Sequence, residues 1–278
     1  NNTTQCRITD TYQLPLDVRP PSITASAEPL TVCFVTPKDG GVFATVTSGN
    51  KNDYTYNWYL ETVKPAPDFT STTLAPVSDL AAGNYIVIAV DNLDAGCEVS
   101  DTVTVTDDRI QPIVVATPLA PVTICDPARP DGVAAANVGG DVINHTFDWF
   151  INAPPAGVSF YTGSQASALS AGIYSVIATN MVSGCSDTTQ VTIDVQQLPI
   201  PIPQIEILSM VTSCIDDNGA LSVSVGGNTS DYVFDWYIGN QEKALPDFVG
   251  EIYDSLAVGF YSVTATSRIT GCKSPLAI

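Results

Sequence analysis

Apolar residues along this chain recur with a period of two, and the same pattern comes round three times. In its clearest passage Leu221, Val223 and Val225 alternate with Ser222 and Ser224, and Gly226-Gly227-Asn228 supplies a turn. Tyr232, Phe234 and Trp236 then share one face, with Val233, Asp235 and Tyr237 on the other; later Tyr261, Val263 and Ala265 alternate with Ser262, Thr264 and Thr266. Strict alternation between turn residues predicts half-buried β-strands. Tyr174, Val176 and Ala178 repeat the last of these strands, as do Tyr85, Val87 and Ala89. In that first copy the opposite face reads Ile86, Ile88 and Val90, which predicts cover on both sides. No window carries the 3.6 period of an amphipathic helix, so the expected class is all-β.

The landmarks define an internal repeat, which governs every later inference about organisation. Trp58, Leu80, Gly83, Tyr85 and Cys97 correspond to Trp149, Leu169, Gly172, Tyr174 and Cys185, and to Trp236, Leu256, Gly259, Tyr261 and Cys272. A further cysteine precedes each copy, and Cys33, Cys125 and Cys214 lie 92 and 89 residues apart. Each copy is long enough for a small core of its own, centred on its indole. The expected layout is three β-sandwich repeats at 20–108, 109–196 and 197–278, the third lacking its last strand. Residues 1–19 are expected to be the last strand of a preceding repeat, because Cys6-Arg-Ile-Thr-Asp-Thr-Tyr matches Cys97-Glu-Val-Ser-Asp-Thr-Val. On that reading the sequence is a window on a longer array. Gly83, Gly172 and Gly259 fall two residues before the strand tyrosine. A turn using positive φ is expected there, with the tyrosine hydroxyl bonded back to it as in a tyrosine corner.

Seven cysteines change the picture further. Six form three pairs, Cys33 with Cys97, Cys125 with Cys185 and Cys214 with Cys272, enclosing 64, 60 and 58 residues. Clustered C-x-x-C spacings that would mark a metal site are absent, so the pairs are read as disulfides within repeats and the compartment as oxidising. Each tyrosine precedes its cysteine by 11 or 12 residues rather than the two of antibody domains. The bond is therefore expected to fasten the turn before the last strand to the start of the same repeat.

Ten Lys and Arg against 29 Asp and Glu leave a formal charge of −19. Without clustered cations the chain is no nucleic-acid binder. No stretch approaches 18 uninterrupted apolar residues, so no membrane insertion is expected of this segment. The junctions carry proline, at Arg19-Pro-Pro, Gln111-Pro112 and Leu198-Pro-Ile-Pro-Ile-Pro203. Proline favours extended, stiff connectors, and stiff connectors between similar sandwiches imply an extended rod.

Asp53-Tyr-Thr-Tyr-Asn-Trp58, Leu80-Ala-Ala-Gly-Asn-Tyr-Ile-Val-Ile-Ala-Val-Asp-Asn92 and Gly96-Cys97 together resemble the SprB-type repeats of Bacteroidetes surface adhesins. All three copies carry the resemblance. Two departures stand out. The proline usual before the aromatic strand is missing, and the segments Glu61 to Val77, Asn152 to Ala168 and Gly239 to Asp254 are longer than in compact members. The resemblance implies immunoglobulin-like repeats in a large secreted protein of the bacterial cell surface, exported by type IX secretion and serving gliding or cell adhesion. Asp101-Thr-Val, Asp187-Thr-Thr and Asp254-Ser-Leu also resemble the Bacteroidetes O-glycosylation acceptor, which marks Thr102, Thr188 and Ser255.

Candidate chemistry is otherwise sparse. The single histidine, His145, stands where Tyr54 and Tyr232 begin a strand, and no repeated partner accompanies it; no catalytic set is expected. Asp91, Asp94, Asp107, Asp108, Asp216 and Asp217 are oxygen ligands available to calcium, with solvated surface charge as the competing reading. No other cofactor is expected. The leading function is a structural stalk or fibre segment, bearing load between cell and surface, whose partners are neighbouring repeats of the same chain or fibre. The alternative is a carbohydrate- or protein-binding module that uses Phe69, Phe160, Tyr161, Phe248 and Tyr253 of the mid-repeat insertions. Exposed rings on one face would favour binding to a surface polysaccharide, and buried rings would favour the stalk.

Overall fold

The computed structural model describes residues 10–13, 22–47, 50–72, 76–93, 97–152 and 157–278. The alternating stretches are strands. The first repeat holds β1 (Ile23–Glu28), β2 (Gly40–Val46), β3 (Tyr54–Leu60), β4 (Phe69–Ser71), β5 (Val77–Leu80), β6 (Gly83–Asp91) and β7 (Glu98–Val105). The second holds β8 (Val114–Ala120), β9 (Gly132–Val138), β10 (His145–Ile151), β11 (Tyr161–Thr162), β12 (Gln165–Leu169), β13 (Gly172–Asn180) and β14 (Ser186–Ile193). The third holds β15 (Gln204–Ser209), β16 (Gly219–Ser224), β17 (Tyr232–Ile238), β18 (Phe248–Val249), β19 (Ile252–Leu256) and β20 (Tyr261–Ser267). Among the described residues the one helical turn is a short 3-10 turn at Lys51–Asp53.

Each repeat is a pair of antiparallel sheets. The orders are β1-β2-β5 with β4-β3-β6-β7, then β8-β9-β12 with β11-β10-β13-β14, then β15-β16-β19 with β18-β17-β20. This is an immunoglobulin-like β-sandwich, repeated in tandem. Register is conserved between copies: Trp58 pairs across the sheet with Val87, Trp149 with Val176 and Trp236 with Val263. The long mid-repeat insertions supply β4, β11 and β18 on the edge of the tryptophan sheet, then cross to the other sheet as β5, β12 and β19.

Both sheets feed one core per repeat. Trp58, Trp149 and Trp236 are fully buried among Val42, Ala134 or Val223 of one sheet and Val87, Val176 or Val263 of the other. Removing such a side chain costs about 3–5 kcal/mol in transfer and cavity terms. The tyrosine corner is present in all three repeats, with hydroxyls donating to the carbonyls of Ala81, Ser170 and Ala257 at 3.0, 3.1 and 3.0 Å. Gly83 and Gly172 take φ of +158° and +150° before it, but Gly259 needs no such conformation. Ile86, Ile88 and Val90 are half-buried, so the cover expected over that face is partial.

The chain forms two compact units, residues 1–110 with Ser183–Cys185, and Gln111–Val182 with Ser186–Ile278. The second unit therefore contains two sandwiches. In the third repeat the place of a last strand is taken, as isolated bridges, by Lys273 opposite Thr266 and Ala277 opposite Val263. Apart from residues 10–13, which have no regular structure, the segment expected to be an earlier repeat's strand lies outside the described residues, as do Cys6 and Arg19-Pro-Pro.

Candidate functional site: two cysteine clasps

The first cysteine of each repeat sits in the loop between the first two strands, and a hydrogen-bonded pin shapes that loop. Asp39 accepts the backbone N–H of Thr31 at 2.8 Å and of Val32 at 3.2 Å, and the Thr31 hydroxyl also donates to it. Asp131 does the same for Thr123 and Ile124, at 2.8 and 3.3 Å, with the Thr123 hydroxyl at 2.5 Å. In the third repeat Asn218 replaces the aspartate, accepting from the Thr212 N–H and donating to its hydroxyl, both at 2.9 Å. The threonine hydroxyl bonds hold the carboxyls of Asp39 and Asp131 below their ordinary range, helped by the backbone donors.

The second cysteine follows the tyrosine strand, in the sequences Ala-Gly-Cys97, Ser-Gly-Cys185 and Thr-Gly-Cys272. Ser183 and Ser267 shape the turns before Cys185 and Cys272: the Ser183 hydroxyl accepts the Cys185 N–H at 3.3 Å, and the Ser267 hydroxyl accepts the Thr270 N–H at 3.2 Å. Gly184 and Gly271 both adopt φ of +69°, a left-handed conformation that side chains resist. A Cβ on Gly184 would fall 2.5 Å from the Phe34 ring, and one on Gly271 would fall 3.2 Å from the Asp126 Cβ. Glycine is required there for both backbone angle and close approach.

The disulfides join Cys33 to Cys185 and Cys125 to Cys272, each with Cα atoms 4.8 Å apart. This corrects the expected pairings Cys33–Cys97, Cys125–Cys185 and Cys214–Cys272. Strand direction supplies the reason. From Cys125 the chain makes five strand passages, β9 to β13, before it reaches Cys185. An odd number of passages leaves the two cysteines at opposite ends of the sandwich, and β13 alone is nine residues, or about 30 Å, long. A disulfide needs Cα atoms within about 7 Å. Each first cysteine instead bonds the second cysteine of the following repeat. A second bond accompanies each: the Cys33 N–H donates to the Ser183 carbonyl and the Cys125 N–H to the Thr270 carbonyl, both at 2.7 Å. The equivalence of these two contacts, residue for residue, makes the clasp a built feature of the repeat. Cys185 and Cys272 are buried, while Cys33 and Cys125 are half-buried. Cys214 is exposed and unbonded.

The other candidate residues are dispersed. Asp107 is engaged by Arg109 at 2.6 and 2.7 Å, Asp91 accepts the Leu93 N–H, and Asp216 and Asp217 are solvent-exposed; Asp94 lies outside the described residues. No three potential metal ligands converge among the described residues. His145 opens β10, its ring nitrogens near the Ile143 carbonyl at 2.8 Å and the Asn180 amide at 3.4 Å. Thr102, Thr188 and Ser255 are all exposed. Of the insertion rings, Phe69 packs on Trp58, and Phe248 stacks on Tyr253 at 4.5 Å against the third core. Phe160 and Tyr161 are 44% and 43% exposed. The insertions also carry an unexpected tie: Lys64 to Asp68 and Lys243 to Asp247, each aspartate accepting the N–H of Leu60 or Ile238.

No family model matches the chain, and no curated protein sequence matches it. Among solved structures it is similar to three N-terminal domains of the highly immunogenic outer capsid protein Hoc of bacteriophage RB49, at 15% identity over 91% of this chain and 94% of that one, TM-score 0.35. It is also similar to the BSP domain of a biofilm-associated protein (10% identity, 93% and 66% covered, TM-score 0.28) and to the FN1–FN3 domains of chicken CNTN1 (11%, 93% and 96%, 0.24). The fold assignment rests on strand order and core, to which these likenesses add nothing further. Two disulfides suit an oxidising compartment, and among the described residues no helix is long and apolar enough to cross a membrane.

Proposed function

We propose that this chain is a stalk segment of a secreted cell-surface adhesin, a rod of sandwiches that spaces a cell from a surface and transmits tension between repeats. The observation that carries the reading is the disulfide pairing. The two loops it closes overlap, so between Cys33 and Cys272 the shortest covalent path contains only the 60 residues from Cys125 to Cys185, against 239 residues along the reduced chain. A pulled molecule cannot lengthen beyond that path, whichever sandwich opens. The resemblance to SprB-type repeats supports a Bacteroidetes surface fibre, and the exposure of Thr102, Thr188 and Ser255 supports O-glycan on its flanks. The packing of Phe69, Phe248 and Tyr253 into cores favours the stalk over sugar binding; only Phe160 and Tyr161 favour the recognition reading, testable by glycan-array binding.

Single-molecule pulling tests the stalk. Full extension is expected to grow by about 60 nm when both clasps are reduced, at about 3.5 Å per released residue. Unfolding that gives the same final length before and after reduction would overturn the proposal.

A further inference from the structure

The two clasps divide the chain between Cys33 and Cys272 into three stretches that share the same two ends. Cys33 and Cys185 form one covalent node, and Cys125 and Cys272 form the other. The closures span 152 and 147 residues and overlap over the 60 from Cys125 to Cys185. Less that overlap, the outer stretches span 92 residues, from Cys33 to Cys125, and 87, from Cys185 to Cys272. Each stretch runs from one node to the other, so the three are connected in parallel rather than in series. The first carries β2 to β8, the second β9 to β13 and the third β14 to β20, and each includes one of the buried tryptophans.

Bonds confined to single repeats would not have this property. Each junction would then be the sole covalent link between neighbouring sandwiches, and one hydrolysed peptide bond there would sever the chain. Cleavable segments occur in all three stretches. Ile110 and Ile113 before the second repeat are 81% and 77% exposed, Val158 in the middle insertion is 93% exposed and Leu198 before the third repeat is 77% exposed, all outside regular structure. Exposed, irregular segments of this kind are the preferred sites of proteolytic nicking.

We propose that the overlapping clasps make this segment a cleavage-tolerant tether, which stays continuous and bears load after an extracellular protease has cut its backbone. The inference rests on the tension-bearing reading above. One cut between Cys33 and Cys272 leaves two intact stretches between the nodes, and cuts in two different stretches leave one. The shortest surviving stretch then limits extension. That is the 60-residue stretch while it is whole, the 87-residue stretch once the middle is cut, and the 92-residue stretch when the third is cut as well.

The test replaces the residues around Gln111, Val158 or Leu198 of the whole chain, singly and together, with the recognition sequence of a site-specific protease. Each oxidised protein is pulled by its two ends before and after cleavage. Cleavage near Gln111 or Leu198 is expected to leave the full extension unchanged. Cleavage near Val158 should lengthen it by about 9 nm, and cleavage near both Val158 and Leu198 by about 11 nm, at about 3.5 Å per residue. The triple cut should part the ends, as should any single cut once a thiol has reduced the clasps. Oxidised molecules that part after one cut, or that lengthen after cleavage near Gln111 or Leu198, would overturn the proposal. The tension-bearing reading survives that result if reduction of the uncut chain still adds length; no added length would remove both.

Discussion

The loops at Cys125 and Cys214 occupy the same place in successive repeats and differ in their bonding within these 278 residues. Cys125 is bonded to Cys272, while Cys214 is exposed and unbonded. Yet both loops are pinned in the same way, by Asp131 on Thr123 and by Asn218 on Thr212. The difference teaches that the loop is made by hydrogen bonds inside its own repeat, and that the disulfide captures a conformation already formed. The partner turn is prepared equally, by Ser267 and a left-handed Gly271. Preorganisation on both sides limits the conformational entropy lost when the repeats lock together.

The largest expected effect comes from removing the lock. The Cys125–Cys272 bond closes 147 residues, for which the chain-entropy account gives about 5 kcal/mol. Because the two sandwiches fold largely on their own cores, that figure is a ceiling. Cys125→Ser with Cys272→Ser is expected to lower the denaturant midpoint and to split one transition into two, as followed by tryptophan fluorescence. A single unchanged transition would mean that the sandwiches were already independent. Next in size is Gly271→Val, which puts a β-branched residue at φ +69° with its Cβ 3.2 Å from Asp126. It is expected to cost about 1–3 kcal/mol and to slow oxidative refolding, measured by free-thiol assay. An equal loss when Cys272 is already serine would assign the cost to the turn alone.

Acid separates the two kinds of loop. The folded-state pKa values of Asp39 and Asp131 are lowered, foremost by their threonine hydroxyl bonds. Their contribution is therefore fully present above the ordinary aspartate pKa of about 3.9 and is lost as pH falls through the lower folded value. Asn218 has no such dependence. Hydrogen exchange corrected for its intrinsic pH dependence should show Thr123 and Ile124 losing protection below about pH 4, while Thr212 keeps its own. In an Asp39→Asn, Asp131→Asn variant the acid loss at those sites should disappear; a loss that persists would place its cause elsewhere.

Much of this was legible in the chain. Alternation around Trp58, Trp149 and Trp236 marked the strands and the core, and the Leu-x-x-Gly-x-Tyr spacing marked the tyrosine corner, because both depend on local periodicity. The cysteine partners are not legible in this way, because spacing reveals which cysteines are equivalent but not which are near. Strand passages between them, counted for parity, would have placed Cys125 and Cys185 at opposite ends. The Thr-Ile-Cys125 to Asp131 pin was also present in sequence, echoed by Thr31-Val-Cys33 and Asp39, yet its third copy hides behind an asparagine two residues nearer the cysteine.

The smallest expected effect makes the comparison sharpest. If the pin alone shapes the loop, Cys214 contributes nothing to it, and Cys214→Ser should change stability by no more than about 0.5 kcal/mol, as at other exposed sites without special contacts. In the oxidised 278-residue chain iodoacetamide should label Cys214 and leave Cys33, Cys125, Cys185 and Cys272 unmodified, as read by peptide mass spectrometry. The converse substitution, Asn218→Ala, removes an acceptor from the Thr212 N–H and a donor to its hydroxyl, and should cost about 1 kcal/mol with Cys214 present or absent. Additive losses would show that loop and thiol are uncoupled, so that the bond at Cys125 is a capture of a finished loop. Strong coupling between Asn218 and Cys214 would instead mean that the thiol helps to shape its own surroundings, and the equivalence drawn between the bonded and unbonded loops would fail.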